Sequence, residues 1–171
     1  MKIISFRDDI LPLKNMLFRV ALRITLDKAE AEDIVQETLI KAWHRRESWT
    51  SIDNIEAFCF TICRNKALDY VRSVSSRNES LDSSQNERPD TSYTPSQQTV
   101  VNDQMAMVRH IVDSLPEKQK SCIQLRDFEG KAYKEIARLL DMTEEQVKIN
   151  IFRGRKAIKE KFVKMNDFEA K

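Results

Sequence analysis

Residues 132–162, AYKEIARLLDMTEEQVKINIFRGRKAIKEKF, decide how this chain is read. Ile136, Ala137, Leu139 and Leu140 recur at helical spacing and give a first, short helix one small apolar face. Asp141 and Met142 break that pattern. Thr143 then offers a hydroxyl as N-cap. Gln146 completes a T-x-x-Q capping box, in which each side chain accepts from the other residue's backbone N–H. A second helix follows, with Val147, Ile151, Gly154, Ile158 and Phe162 on one face. Its other face presents Lys148, Asn150, Arg153, Arg155, Lys156, Lys159 and Lys161. A short helix, a tight turn and a basic second helix are the parts of a helix-turn-helix, whose second helix enters the DNA major groove. A basic face alone is an ordinary solvated face. Here it combines with a turn of the right length and with the small residues Ala137 and Gly154, which allow close helix approach. From Val147 to Lys164 the only acid is Glu160, so the segment carries the charge footprint of a DNA-binding element.

The rest of the composition sets the frame. A chain of 171 residues holds one domain or two small ones. With Gly 2, Pro 4, 33% charged residues and few β-branched runs, it reads as all-α. The net charge of +2 hides an asymmetry. Residues 1–72 carry 12 basic and 11 acidic side chains, residues 73–104 carry 2 and 5, and residues 105–171 carry 15 and 11. The basic surface is therefore concentrated in the C-terminal helix.

Nothing points to catalysis, a metal or a cofactor. Cys59, Cys63 and Cys122 make no disulfide framework. Cys59 and Cys63 share a helix face without a nearby His or a second Cys pair, and read as core or half-buried thiols rather than metal ligands. His44 and His110 have no evident catalytic partners, and Gly130 and Gly154 alone cannot form a phosphate loop. Asp33 and Glu37 share a face, but no second acidic pair accompanies them as a two-metal nuclease would need. The first nine residues are charged and no apolar run reaches about 18 residues, so neither a signal peptide nor a membrane span is expected. A cytoplasmic protein is the expectation.

Residues 10–26 read as a long first helix with Leu13, Leu17, Val20, Ala21 and Ile24 on its apolar stripe. Asp27 is placed to cap the next helix, with Glu30 at its third position. That helix, residues 29–45, has an inner face of Ala31, Ile34, Val35, Thr38, Leu39, Ala42 and Trp43. Its outer face of Asp33, Gln36, Glu37, Ile40 and Lys41 suits protein docking, and equally a plain solvated face. Residues 45–54 lack periodicity and read as a loop, with Trp49 a core anchor. Residues 55–73 are again helical, with Ala57, Phe58, Ile62, Ala67, Leu68 and Val71 as the apolar set. A Ser-rich stretch with Pro89 and Pro95 buries almost nothing and reads as a flexible linker. The organisation expected is thus a helical domain over residues 1–73, a linker over 74–99 and a second helical domain over 100–171. In the second domain Val101, Met105, Val108, Ile111, Val112 and Leu115 mark one helix. Pro116 opens the next at its first position, which runs to about Asp127, and Gly130 supplies the exit.

At this point the chain resembles a family, the extracytoplasmic-function (ECF) group of the bacterial sigma-70 family. The residues that carry the resemblance are AEDIVQETLIKAW (31–43) and FCFTICRNKALDYVR (58–72), similar to region 2. In the second half they are LPEKQKSCIQLRDFEGKAYKEIA (115–137) and QVKINIFRGRKAI (146–158), similar to region 4. Two such halves in this order, with no domain between them, are far more specific than a lone helix-turn-helix. The resemblance implies an alternative sigma factor rather than an enzyme. Asp33, Gln36, Glu37 and Ile40 would dock on the clamp helices of the largest subunit of core RNA polymerase, and region 4 on its flap. Arg64, Asn65, Lys66, Asp69 and Arg72 would meet the melted −10 strand. Arg126, Lys148, Ile149, Asn150, Phe152, Arg153 and Lys156 would meet the −35 duplex. Promoter DNA is then a partner, and an anti-sigma factor, of the membrane-bound kind or not, is implied as another. The chain departs from the family pattern in three places. Ala132 stands where Ser is frequent as N-cap, a Trp common near Phe58 is missing, and Glu144 and Glu145 open the recognition helix. The rival reading is a stand-alone helix-turn-helix regulator, which leaves residues 31–72 without a role.

Overall fold

The computed structural model describes residues 3–80 and 100–169, and every regular element among them is helical. The chain divides into two compact units, Met1–Ser92 and Tyr93–Lys171. The expected linker falls mostly on residues 81–99, which lie outside the described residues.

The first unit opens on two tight turns rather than on the expected long helix. A π turn, Phe6–Ile10, is capped by Ser5, whose Oγ accepts from the Asp8 N–H at 3.4 Å. A 3-10 turn, Leu11–Leu13, follows. Pro12 has no N–H to give, and the regular helix α1 starts only afterwards, at Lys14–Thr25. Leu26 ends it in the left-handed conformation, φ 56°, donating its N–H to the Leu22 carbonyl at 2.8 Å. Helix α2, Lys28–His44, is capped as expected: the Asp27 carboxylate accepts from the Glu30 N–H at 3.1 Å. Helix α3, Ile55–Ser80, runs on through seven residues read as the start of the linker.

The core of this unit is Ile10, Met16, Leu17, Val20, Ala21, Ile24, Ala31, Ile34, Val35, Ala42, Cys59, Phe60, Cys63 and Ala67, closed by Trp49. Thr38 is fully buried, and its hydroxyl donates to the Ile34 carbonyl at 2.7 Å, so it adds no unpaired polar atom. The segment expected as a loop contains a 3-10 helix, Arg46–Ser51. Trp49 anchors it: the ring is buried, and Nε1 donates to the Ala42 carbonyl at 2.9 Å. Trp43, expected on the inner face of α2, is instead 47% exposed. In α3 the buried stripe is Cys59, Phe60, Cys63 and Ala67, whereas Ala57, Phe58, Ile62, Leu68 and Val71 are only half-buried. The helix packs against both α1 and α2, so its apolar residues spread over more than one face, and the two fully buried thiols pack as small apolar groups.

The second unit comprises α4 (Val100–Asp113), α5 (Glu117–Ile123), α6 (Tyr133–Leu140) and α7 (Glu144–Glu169). Ile111, Val112 and Leu115 are buried at the end of α4, but Met105, expected in the core, is 43% exposed. Pro116 sits at the N-cap of α5 with an extended ψ of 144°, one position before the place expected for it. A π turn, Gln124–Phe128, continues α5 directly, and Gly130 leaves it at φ 68°, the left-handed region that glycine enters without strain. Asp141, at φ 52°, makes the turn between α6 and α7. The capping box on α7 is complete: the Thr143 N–H donates to Gln146 Oε1 at 3.0 Å and the Gln146 N–H to Thr143 Oγ1 at 3.1 Å. Val147, Ile151 and Gly154 are buried as expected. A Cβ at Gly154 would lie 2.9 Å from Ile123 Cγ1, so the absence of a side chain is what lets α7 pack against α5.

Candidate nucleic-acid interface and docking face

The side of α7 opposite its buried residues carries a group of exposed cations. Lys148, Ile149, Phe152, Arg153 and Lys156 are all exposed along it. Asn150, grouped with them from sequence, is set apart: it is half-buried and donates its Nδ2 to the Gln146 carbonyl at 2.8 Å, along its own helix. Arg155 and Lys161 also serve the unit itself. Arg155 forms a two-point pair with Asp127, Nε to Oδ2 at 3.1 Å and Nη2 to Oδ1 at 2.5 Å, and this hydrogen bonding raises its pKa. Lys161 donates to Ser114 Oγ at 3.1 Å.

Arg126 is half-buried beside α6. Its Nη1 donates to the Lys131 carbonyl at 2.9 Å, and its guanidinium lies 4.5 Å from the centre of the Tyr133 ring. The Lys148 ammonium is 5.8 Å from the same ring, so Tyr133 holds one cation from the π turn and one from α7 side by side.

In the first unit, α2 turns Asp33, Gln36, Glu37 and Ile40 outward, with Ile40 56% exposed. This face carries the carboxylates of Asp33 and Glu37. Burial first, then the carboxylates of Asp33, Asp27 and Glu37, raise the pKa of Glu30 beside it. Helix α3 carries Arg64, Asn65, Lys66, Asp69 and Arg72; Asn65, Asp69 and Arg72 are exposed, and Arg64 and Lys66 are half-buried. Arg72 pairs with Asp69 at 3.4 Å. Lys66 reaches across to Glu37 at 2.7 Å, which ties the face of α2 to that of α3.

Sequence reasoning missed this cross-helix pair, since contact between residues on different helices has no local signature. It also missed the aromatic group around Trp43. Phe6 meets Trp43 edge-on at 5.4 Å, Trp49 lies 6.3 Å away, and the Arg46 guanidinium covers the Trp43 ring at 4.9 Å. The clustering of Trp43, Arg46 and Trp49 in the sequence was the available signal. Nearby, residues 49–56 and the N-terminal turn enclose an open cleft of about 470 Å³, walled by Ile4, Asp9, Leu13, Trp49, Asp53 and Glu56.

Among the described residues no cluster of His, Cys, Asp and Glu could hold a metal ion, and no helix is long and apolar enough to cross a membrane.

Comparison with known proteins identifies both units. Residues 10–77 match the model for sigma-70 region 2, and residues 105–158 match that for sigma-70 region 4. The ECF RNA polymerase sigma factor SigL of Mycobacterium tuberculosis is 32% identical over 145 residues, covering 84% of this chain and 81% of that protein. The ECF RNA polymerase sigma-E factor of Haemophilus influenzae is 28% identical over 144 residues, covering 80% of this chain and 76% of that one. Among solved structures, the sigma factor RpoE of Bartonella quintana, in complex with the anti-sigma factor NepR, shares the fold with a TM-score of 0.70 at 24% identity, over 91% of this chain and 95% of that one. With both regions present in order, and a relative of this identity matched over most of its length, the chain belongs to the ECF group of the sigma-70 family of RNA polymerase sigma factors.

Proposed function

We propose that the chain is an alternative sigma factor that binds core RNA polymerase, directs it to promoters with −10 and −35 elements and helps initiate transcription, with its roles divided among three helices. The observation that carries this reading is one chain that holds both an acidic face with a projecting Ile40 on α2 and a helix-turn-helix with a projecting cationic face on α7. Asp33, Gln36, Glu37 and Ile40 dock on the clamp helices of the largest polymerase subunit: the carboxylates steer the encounter and Ile40 is the apolar anchor. The second unit meets the flap.

Arg64, Lys66 and Arg72 follow the phosphates of the melted −10 strand, while Asn65 and Asp69 offer polar contacts to its bases. An unstacked base rests in the cleft beside Trp49. On α7, Lys148, Arg153 and Lys156, with Arg126, hold the backbone of the −35 duplex and set register. Ile149 and Phe152 lie against base edges, and Asn150 acts at the margin of that contact. Every one of these roles is binding, so the protein has no catalytic centre of its own.

The solved relative carries an anti-sigma factor, which supports a partner of that kind for this chain, acting in the cytoplasm and covering these same surfaces.

Transcription by purified core polymerase on a genomic fragment library, with and without the protein, tests the proposal through mapped start sites. New starts that share two upstream motifs are expected. Tight duplex binding by the protein alone, with no core binding and no new starts, would refute it.

A further inference from the structure

Two large apolar side chains stand in the middle of the cationic face of α7: Phe152 is 69% exposed and Ile149 is 42% exposed. They lie three residues apart, so they are neighbours on successive turns. Lys148, Arg153 and Lys156 flank them, and the exposed acids Glu145 and Glu160 lie one turn before Ile149 and two turns after Phe152. Phe152 is not a core residue left over at a helix end, because Val147, Ile151 and Gly154 supply the buried face of the same turns. At 1.5 Å per residue, Ile149 and Phe152 fall within the first three turns of α7, the part of a recognition helix that lies along base edges.

Most groups on the floor of the major groove are polar. The apolar one is the C5 methyl of thymine. An aromatic or aliphatic side chain facing a cytosine amine or a guanine oxygen would strip it of water without replacing the hydrogen bond, which selects against those bases. Resting on the assignment of α7 to the −35 duplex, we infer that Ile149 and Phe152 read thymine methyl groups. The −35 element then contains one or two thymines seated against these side chains, while the flanking cations hold phosphates on either side. The surrounding charge favours duplex DNA over a protein partner, since the apolar patch is only two side chains wide and three exposed cations, Lys148, Arg153 and Lys156, flank it against the single acid Glu145 within one turn.

The test replaces each thymine of a mapped −35 element in turn by uracil, which removes the methyl group and leaves the hydrogen-bonding edge intact. Binding of reconstituted holoenzyme is measured with the native chain, with Phe152→Ala and with Ile149→Ala. Both side chains are exposed, so neither variant depends on repacking the core. At one or two positions uracil should weaken the native complex roughly fourfold, the worth of one buried methyl group. Phe152→Ala or Ile149→Ala should abolish that sensitivity at its own position. A 5-methylcytosine placed there should recover part of the affinity lost on going from thymine to cytosine.

If the −35 element is used and uracil has no effect anywhere, the inference falls alone. It falls likewise if uracil sensitivity persists in both variants, because another group or the shape of the duplex then reads the methyl. If the variants weaken binding to core polymerase instead of to DNA, the patch is a protein contact. If promoter use is indifferent to the whole upstream element, the assignment of α7 falls and takes the inference with it.

Discussion

Gly154 shows how one missing side chain sets a domain. Alanine is about 1 kcal/mol better than glycine inside a helix, so propensity alone would favour it here. Packing opposes this. The new Cβ would meet Ile123 Cγ1 at 2.9 Å and Cδ1 at 3.2 Å, and Ile123 is itself fully buried, with little room to give. Overpacking of this kind costs about 1–3 kcal/mol, so Gly154→Ala should destabilise the second unit by about 1 kcal/mol net in urea unfolding of the full chain. The buried thiols are a second case at this scale. Burial, with a smaller contribution from Glu56, pushes Cys59 up to about 11; burial, only partly offset by a hydrogen bond with Thr38, pushes Cys63 up to about 12. A raised pKa means that the folded chain keeps its thiol protons where the unfolded chain loses them. These groups therefore lower stability as pH rises from about 9 through 11 and 12, and leave it unchanged below. Alkylation at pH 8 should be slow for the native protein and fast once it is unfolded; rapid modification of Cys59 or Cys63 in the folded state would contradict their burial.

At the scale of the element, the two helices of the helix-turn-helix are capped unequally. Helix α7 has both bonds of its capping box. Helix α6 has only one, from the Ala132 N–H to Glu135 Oε2 at 3.0 Å, because Ala132 has no oxygen to return the contact. Its backbone is already extended, φ −69° and ψ 152°, as an N-cap requires. Ala132→Ser should therefore complete the box without moving the chain and raise stability by about 1 kcal/mol, seen as a higher thermal midpoint. No gain would mean that the Glu135 contact already satisfies the helix start. Helix α2 follows a related rule, with Asp27 as cap and Glu30 in its first turn, where negative charge suits the helix dipole.

For the whole molecule, the two functional surfaces belong to different units, so they should fail separately under mutation. Replacing Asp33, Gln36 and Glu37 together by alanine removes three exposed side chains and no core contact. It should weaken binding to core polymerase at least tenfold with the circular dichroism spectrum unchanged; full-strength binding would rule out α2 as the docking face. Glu37 also loses Lys66 in this variant, so Lys66→Ala is the control that separates docking from the cross-helix pair. Arg153→Ala should leave core binding intact, lower the use of promoters that depend on the −35 element, and reduce the salt dependence of binding by about one phosphate contact. Equal activity on all promoters would argue against that role.

Local sequence determined the helices and their ends. The caps at Asp27 and Thr143 join residues three positions apart, and the break at Asp141 and the exit at Gly130 each turn on one residue in the left-handed region, so these local features are legible in a linear pattern. The buried spacing of Val147, Ile151 and Gly154 was legible for the same reason, and so was the anchoring role of Trp49. The tertiary structure decided which apolar residues are core. Trp43 and Met105 fit their helical stripes and yet stand half in solvent, while Phe60 and the two thiols take the interior of α3. A period of 3.6 says which residues share a face, not how wide a face the neighbouring helices cover. It also decided which charges are available. Arg155 and Lys161 are bound to Asp127 and Ser114, and Glu37 holds Lys66. The partners lie 28, 47 and 29 residues apart along the chain, and only folding brings such distant side chains within reach.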